Sequence, residues 1–199
     1  MGPQDIISIR NRFHMKKTSL QIFLLLAISS SVIAACQKAD AVLFEDRSTV
    51  SKADKSAWTA TADSETPEGW ENTGFASATI DDDFSTYWHT DYSTVVPYPH
   101  WVLIDMKTEQ NMISVEIANR QATNPNTAGM KKFKLEGSND GTTFTSLGEF
   151  PFAISNAPQG FPVSSAKPYR YLKVTALEAQ RATTNHTFLA EIDVFTTKK

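Results

Sequence analysis

Three consecutive acidic residues, Asp81, Asp82 and Asp83, lead into Thr86 and then Tyr87-Trp88-His89-Thr90. No other stretch gathers so many side chains able to do chemistry. Acidic oxygens at alternate positions (Asp81, Asp83), with a hydroxyl three residues on at Thr86, suit a tight loop around a hard cation. Such an ion takes about six to eight oxygens at roughly 2.3–2.6 Å. Ala190-Glu191, far along the chain, offers a carbonyl and a carboxylate that would close the shell. On this reading the ion is calcium rather than sodium, and its role is structural: it clips the loop to the C-terminal strand. The competing reading is a solvated turn, since Asp is favoured in turns without any ion.

Next to the loop lies a set suited to a sugar. His89 adjoins Trp88, so in a strand the two point to opposite faces; with Trp88 in the core, His89 faces out. Tyr92, three residues on, places a ring near it. A ring stacks on the apolar C–H face of a pyranose while an imidazole fixes hydroxyls. Arg120 follows the strand-like Met112–Ala118 and precedes Gln121-Ala122-Thr123-Asn124-Pro125-Asn126. There it presents planar donors to paired hydroxyls, or else forms a surface salt bridge. The turn-rich Thr184-Asn185-His186-Thr187-Phe188 precedes Glu191 and would cover a binding face if it folds across it. Phe188 itself is expected in core or rim packing, and Trp88 and Trp101 in the core.

Catalysis finds little support. His89, His100 and His186 are scattered rather than spaced for zinc, and there is no Gly-rich phosphate loop or nucleophile elbow. The clustered carboxylates are those assigned to the ion. A carboxylate pair for glycoside cleavage has no obvious members, so a hydrolase is the least favoured reading.

Strands must position these groups. Trp58–Ala62, Trp101–Met106, Met112–Ile117, Phe133–Gly137, Tyr171–Val174 and Ile192–Phe195 are short, rich in β-branched and aromatic residues, and often alternate apolar with polar. Asn139-Asp140-Gly141 signals a hairpin. Outside the N-terminal apolar run no window keeps a helical period, although Leu177–Arg181 suits a turn. The class is all-β, a sandwich or barrel.

The 199 residues begin with a segment that is not fold. Lys16-Lys17 precede an apolar run from about Leu20 to Ala35, and Cys36, the one cysteine, follows Ala34-Ala35. That is a secretory signal, and it resembles a bacterial lipobox with Cys36 as the acylated residue. The expected organisation is a leader over 1–35, an anchor and linker over 36–55, and a β-sandwich over 56–197. Val42–Phe44 is a possible edge strand. Gln37-Lys38-Ala39-Asp40 resembles a short tag for export to the cell surface, which points to an outer-membrane lipoprotein. Removing the leader takes away four basic groups and one acidic group, moving the formal charge from −3 to −6. Such a domain has no electrostatic claim on nucleic acid or anionic lipid, so its membrane contact would be the lipid anchor.

From about Ser56 to Phe195 the chain resembles the coagulation factor 5/8 type C (discoidin) domains, in the version called carbohydrate-binding module family 32. The resemblance rests on Ile80-Asp81-Asp82-Asp83 through Thr86-Tyr87-Trp88-His89-Thr90, Pro99-His100-Trp101-Val102-Leu103-Ile104-Asp105-Met106 and Arg120. Ser138-Asn139-Asp140-Gly141-Thr142-Thr143-Phe144, Arg170-Tyr171-Leu172-Lys173-Val174 and Ala190-Glu191-Ile192-Asp193-Val194-Phe195 complete it. It implies an eight-stranded jelly-roll sandwich. It also implies a structural calcium held by the Ala78 carbonyl, Asp81, Asp83, Thr86, the Ala190 carbonyl and Glu191. Asp82 stands where the family has glycine, and Asp tolerates a positive φ better than most residues. The implied site for galactose-type glycans, N-acetylgalactosamine included, falls on His89, Tyr92, Arg120 and Asn124 (or Asn126). Glu65 or Glu71 would be its acidic member, and His186 takes the place of the last-loop aromatic. The expected function is glycan binding without turnover. The alternative is a protein–protein adhesion or envelope-assembly role, for which Val95-Val96-Pro97-Tyr98 offers an apolar contact.

Overall fold

The computed structural model describes residues 49–67, 74–165 and 167–197. Alternation of side chains builds the long strands. In β4 (His100–Gln110) every second residue from His100 to Met106 is buried, which turns Val102, Ile104 and Met106 inward. β9 (Tyr169–Ala179) adds Leu172 and Val174, and β6 (Met130–Ser138) adds Phe133 and Leu135. With β2 (Thr59–Ala62) and β7 (Thr145–Pro151) they form a five-stranded antiparallel sheet of order β2-β4-β9-β6-β7. The facing sheet has the order β1-β11-β5-β8, from β1 (Val50–Lys52), β11 (Glu191–Thr197), β5 (Met112–Ala118) and β8 (Gln159–Pro162). A short ribbon pairs β3 (Trp88–His89) with β10 (Phe188–Leu189). The two main sheets hold nine strands among the described residues, one more than the eight expected, the extra one being the three-residue β1 at a sheet edge.

The core lies between the inner faces of the sheets. Phe133 is its hub, its ring 4.7 Å from that of Phe161 and 5.6 Å from that of Phe150. The expected hairpin joins β6 to β7. Gly141 takes φ 72°, and the Asp140 carboxylate accepts from the Thr142 and Thr143 amides at 2.8 and 2.7 Å. These bonds hold that carboxyl well below the usual range. At Gly137 an added Cβ would sit 2.5 Å from the Tyr169 ring. Gly137→Ala is therefore expected to cost about 1–3 kcal/mol by overpacking, read as a lowered thermal midpoint.

Three expectations need correction. The sandwich starts before residue 56: Val50–Lys52 pairs with the last strand, and Lys55 is buried, so these residues are fold rather than linker. Trp101 is only half-buried. It alternates with the core residues of β4 and so lies on the outer face, under the Lys173 ammonium at 4.9 Å. Leu177–Ala179 continues β9, which leaves only its end to turn. Cys36, the leader and Val42–Phe44 lie outside the described residues.

Candidate glycan site and cation loop

The β3–β10 ribbon carries the candidate site at one edge of the sandwich. His89 pairs with Phe188 and Trp88 with Leu189. Trp88 and Leu189, each 1% exposed, turn inward, and the Trp88 indole donates to the Ser64 carbonyl at 2.9 Å. His89 and Phe188 therefore share the other face, as strand alternation requires. That face is not open solvent. His89 is 8% exposed, a correction to the expectation of an exposed histidine, because other rings cover it.

Those rings include the expected partners. Ring centroids lie 5.3 Å apart for His89 and Tyr92, 5.9 Å for His89 and His186, 6.5 Å for Tyr92 and His186, and 5.5 Å for His89 and Phe188. Arg120 reaches the same cluster through Tyr87. Its guanidinium carbon sits 4.2 Å over the Tyr87 ring, whose centroid is 6.4 Å from that of His89. The Arg120 backbone is fixed by the buried Asn119, whose side-chain oxygen accepts its amide at 2.9 Å. Gln121 ties the following loop to the Asn119 and Asn156 carbonyls. No carboxylate among the described residues pairs with Arg120, so the salt-bridge alternative is not what the structure shows.

The remaining members separate. Asn124 is exposed on the loop after Arg120. Asn126 spends its side-chain oxygen on the Ala128 amide at 3.0 Å, a local turn. Glu65 accepts the Ala76 amide at 2.9 Å and thus caps the 3-10 turn Ala76–Ile80. Its neighbour Thr66 donates its amide to the His89 carbonyl at 2.8 Å, which sets Glu65 beside β3. Glu71 lies outside the described residues.

The acidic loop is folded around its own groups. Asp81 accepts the Asp83 amide at 2.9 Å and the Thr86 hydroxyl at 2.6 Å, while Asp83 accepts the Ser85 amide at 2.8 Å. Asp82 adopts φ 63°, the left-handed conformation that a family glycine would take without strain. Its carboxylate meets the Lys52 ammonium at 2.6 Å and the Lys55 ammonium at 3.1 Å. Lys55 is the residue that sequence reasoning missed. Its side chain is 2% exposed and donates to Glu191 Oε1 at 2.5 Å and Asp193 Oδ1 at 2.7 Å.

The other Glu191 oxygen, Oε2, is buried without a hydrogen-bond partner. Burial pushes this carboxyl up to about 7 even beside Lys55, with Asp193 and Asp81 adding negative charge. Hard oxygen donors, a hydroxyl and an orphaned buried carboxylate oxygen fit a hard cation. Among the described residues no three His, Cys, Asp or Glu side chains converge as a metal cluster. An ion here would therefore need Thr86 and backbone carbonyls as well, for which the family pattern names Ala78 and Ala190. Both alanines are buried, at 2% and 0% exposure.

The chain belongs to the F5/8 type C domain family, which residues 59–192 match. Its fold is shared with carbohydrate-binding modules. One is a family 32 module of a Clostridium perfringens family 89 glycoside hydrolase, solved with GalNAc-β-1,3-galactose. It is 28% identical, with TM-score 0.64 over 72% of this chain and 99% of that one. The fold is also that of the C-terminal domain of a Bacteroides fragilis chitobiase, 27% identical, with TM-score 0.63 over 75% of this chain and 100% of that one. A sialidase of Micromonospora viridifaciens is 31% identical over 138 residues, 67% of this chain and 20% of that protein. The chain thus spans about a fifth of the length of this curated relative.

Proposed function

We propose that the domain binds a galactose-type glycan, without turnover, at the surface formed by His89, Tyr92, Arg120 and His186, with the exposed Asn124 of the loop after Arg120 as its amide. The observation that carries this reading is Arg120: a guanidinium stacked on Tyr87, unmatched by a carboxylate among the described residues, beside a three-ring cluster. Planar donors for paired hydroxyls and ring faces for the C–H side of a pyranose are what sugar recognition needs. The GalNAc-β-1,3-galactose held by the clostridial module supports galactose-type ligands as the first class to test. A single site of this kind suits a dissociation constant near 1 mM, about −4 kcal/mol. Titration of the protein with galactose, N-acetylgalactosamine and lactosamine in calcium is the test. Saturable binding of one of them supports the reading, and silence from all three removes it.

Calcium would be held by Asp81, Asp83, Thr86 and Glu191 with the Ala78 and Ala190 carbonyls, and would supply structural charge only. The orphaned Glu191 Oε2 is the support. At an ion concentration about 100 times the dissociation constant, binding adds about 2.7 kcal/mol, worth roughly 5–10 °C in a domain of this size. Chelation should lower the thermal midpoint by that amount. An indifferent midpoint, with no calcium in elemental analysis, removes the ion.

Cys36 would carry the lipid that holds the domain at the outer membrane, facing outward. A second reading, adhesion to a protein partner, draws on Val95 and Val96, which are 60% and 38% exposed on the loop after Tyr92. A partner captured equally by wild type and Arg120→Ala would favour it.

A further inference from the structure

His100 lies outside the ring cluster and is wholly buried, at 0% exposure. Its Nδ1 is 2.9 Å from Asp63 Oδ2, and its Nε2 is 2.6 Å from the Asn185 carbonyl oxygen. An ionised carboxylate and a carbonyl only accept hydrogen bonds, so both contacts are satisfied only when both ring nitrogens carry protons. A neutral ring would turn a lone pair on one of these oxygens. Burial acts to lower the pKa of the imidazolium, but the bonds to Asp63 and Asn185 and the Asp63 charge outweigh it. The group therefore stands above its ordinary 6.5. The Tyr98 ring, 4.9 Å away, and the Val96 backbone also face it. Tyr98 is no competitor for the proton, since burial pushes its phenol up to about 12.

The bond to Asn185 fixes the last loop one residue ahead of His186. Three successive carbonyls of this loop are each held by a different donor. His100 takes Asn185, the Tyr98 hydroxyl takes His186 at 3.0 Å, and the Thr90 amide takes Thr187 at 3.1 Å. Only the first of these donors titrates near neutral pH. The same loop carries the His186 ring against His89 and Tyr92.

We propose that His100 is a positioning residue for the glycan site: as a buried imidazolium it anchors the Asn185 carbonyl, and so the His186 ring, and its deprotonation releases that anchor. The proposal rests on the sugar-binding reading of the cluster. The sign comes from the raised pKa: the anchor is complete below the ordinary value and is lost as pH rises through the folded one. Affinity for a galactoside should fall severalfold across that rise.

The test tracks the imidazole nitrogens of the full chain by NMR from pH 6 to 9.5 without sugar, then measures methyl β-galactoside affinity over the same range. His100 should hold two protons at pH 6, below its ordinary value. The His186 ring and Thr187 amide should shift at the His100 midpoint, and affinity should fall there too. Asp63→Asn, which keeps a hydrogen-bond acceptor but removes the charge, should move all three midpoints down together. A bare His100 nitrogen at pH 6, His186 and Thr187 signals that ignore the His100 midpoint, or affinity flat through it would each overturn the proposal. Should no galactoside bind at any pH while the loop signals track His100, the sugar reading falls and the anchoring of the loop stands.

Discussion

Truncating Arg120 to alanine should weaken galactoside binding by about 10- to 150-fold while the domain stays folded. Hydrogen bonds from a charged donor contribute about 1.5–3 kcal/mol each, and a ligand near 1 mM has little to spare. The structural cost is the stacking on Tyr87, about 0.5–1 kcal/mol for a partly exposed pair. Titration calorimetry or ligand-observed NMR reads the first effect, and thermal unfolding reads the second. Arg120→Lys separates charge from shape. It keeps the cation and loses the planar fork, so it should recover only part of the affinity. Unchanged affinity in Arg120→Ala would move the sugar away from this cluster.

The largest loss of stability should come from Lys55→Ala. The lysine and Glu191 are each 2% exposed, so removing the ammonium leaves the buried Glu191 carboxylate without its cation and Asp193, 8% exposed, with Lys52 alone at 2.8 Å. Breaking such a pair costs about 3–5 kcal/mol, or roughly 6–20 °C in the midpoint of a domain of this length. Lys52 sits in the same network but is 41% exposed, and Lys52→Ala should cost less than about 1 kcal/mol. Equal losses for the two lysines would show that burial does not govern this network. Combining Lys55→Ala with Glu191→Gln and Asp193→Asn should return much of the stability by removing the stranded charges.

What the sequence made legible was local. The alternation of β4, the Asn139-Asp140-Gly141 turn and the opposed faces of Trp88 and His89 stem from neighbours along the chain, and all are observed. The left-handed Asp82 is observed as well, but it was reached through the family pattern, in which that position is glycine. The meeting of His89, Tyr92 and His186 is non-local and was reached through the family pattern. What stayed hidden depends on contacts that no local window contains. Lys55 bonds to residues 136 and 138 positions away, and as one basic residue among nineteen it gave no sign of burial. The available hint was its place three residues before Trp58, the first core residue of the sandwich. Trp101, the neighbour of His100, was misjudged for a related reason. Alternation says that neighbours point apart, but only the packed sheets say which of the two points inward, and here the histidine does. His89 was expected in solvent because the cover provided by Phe188 and His186 comes from the far end of the chain.

A crystal soaked in methyl β-galactoside with calcium decides most directly. One ordered pyranose should stack on Tyr92 within hydrogen-bond reach of His89 and Arg120, with His186 at its edge. A sugar seated elsewhere, such as on the outer face beside Trp101, or an empty cluster at saturating ligand, would contradict the account.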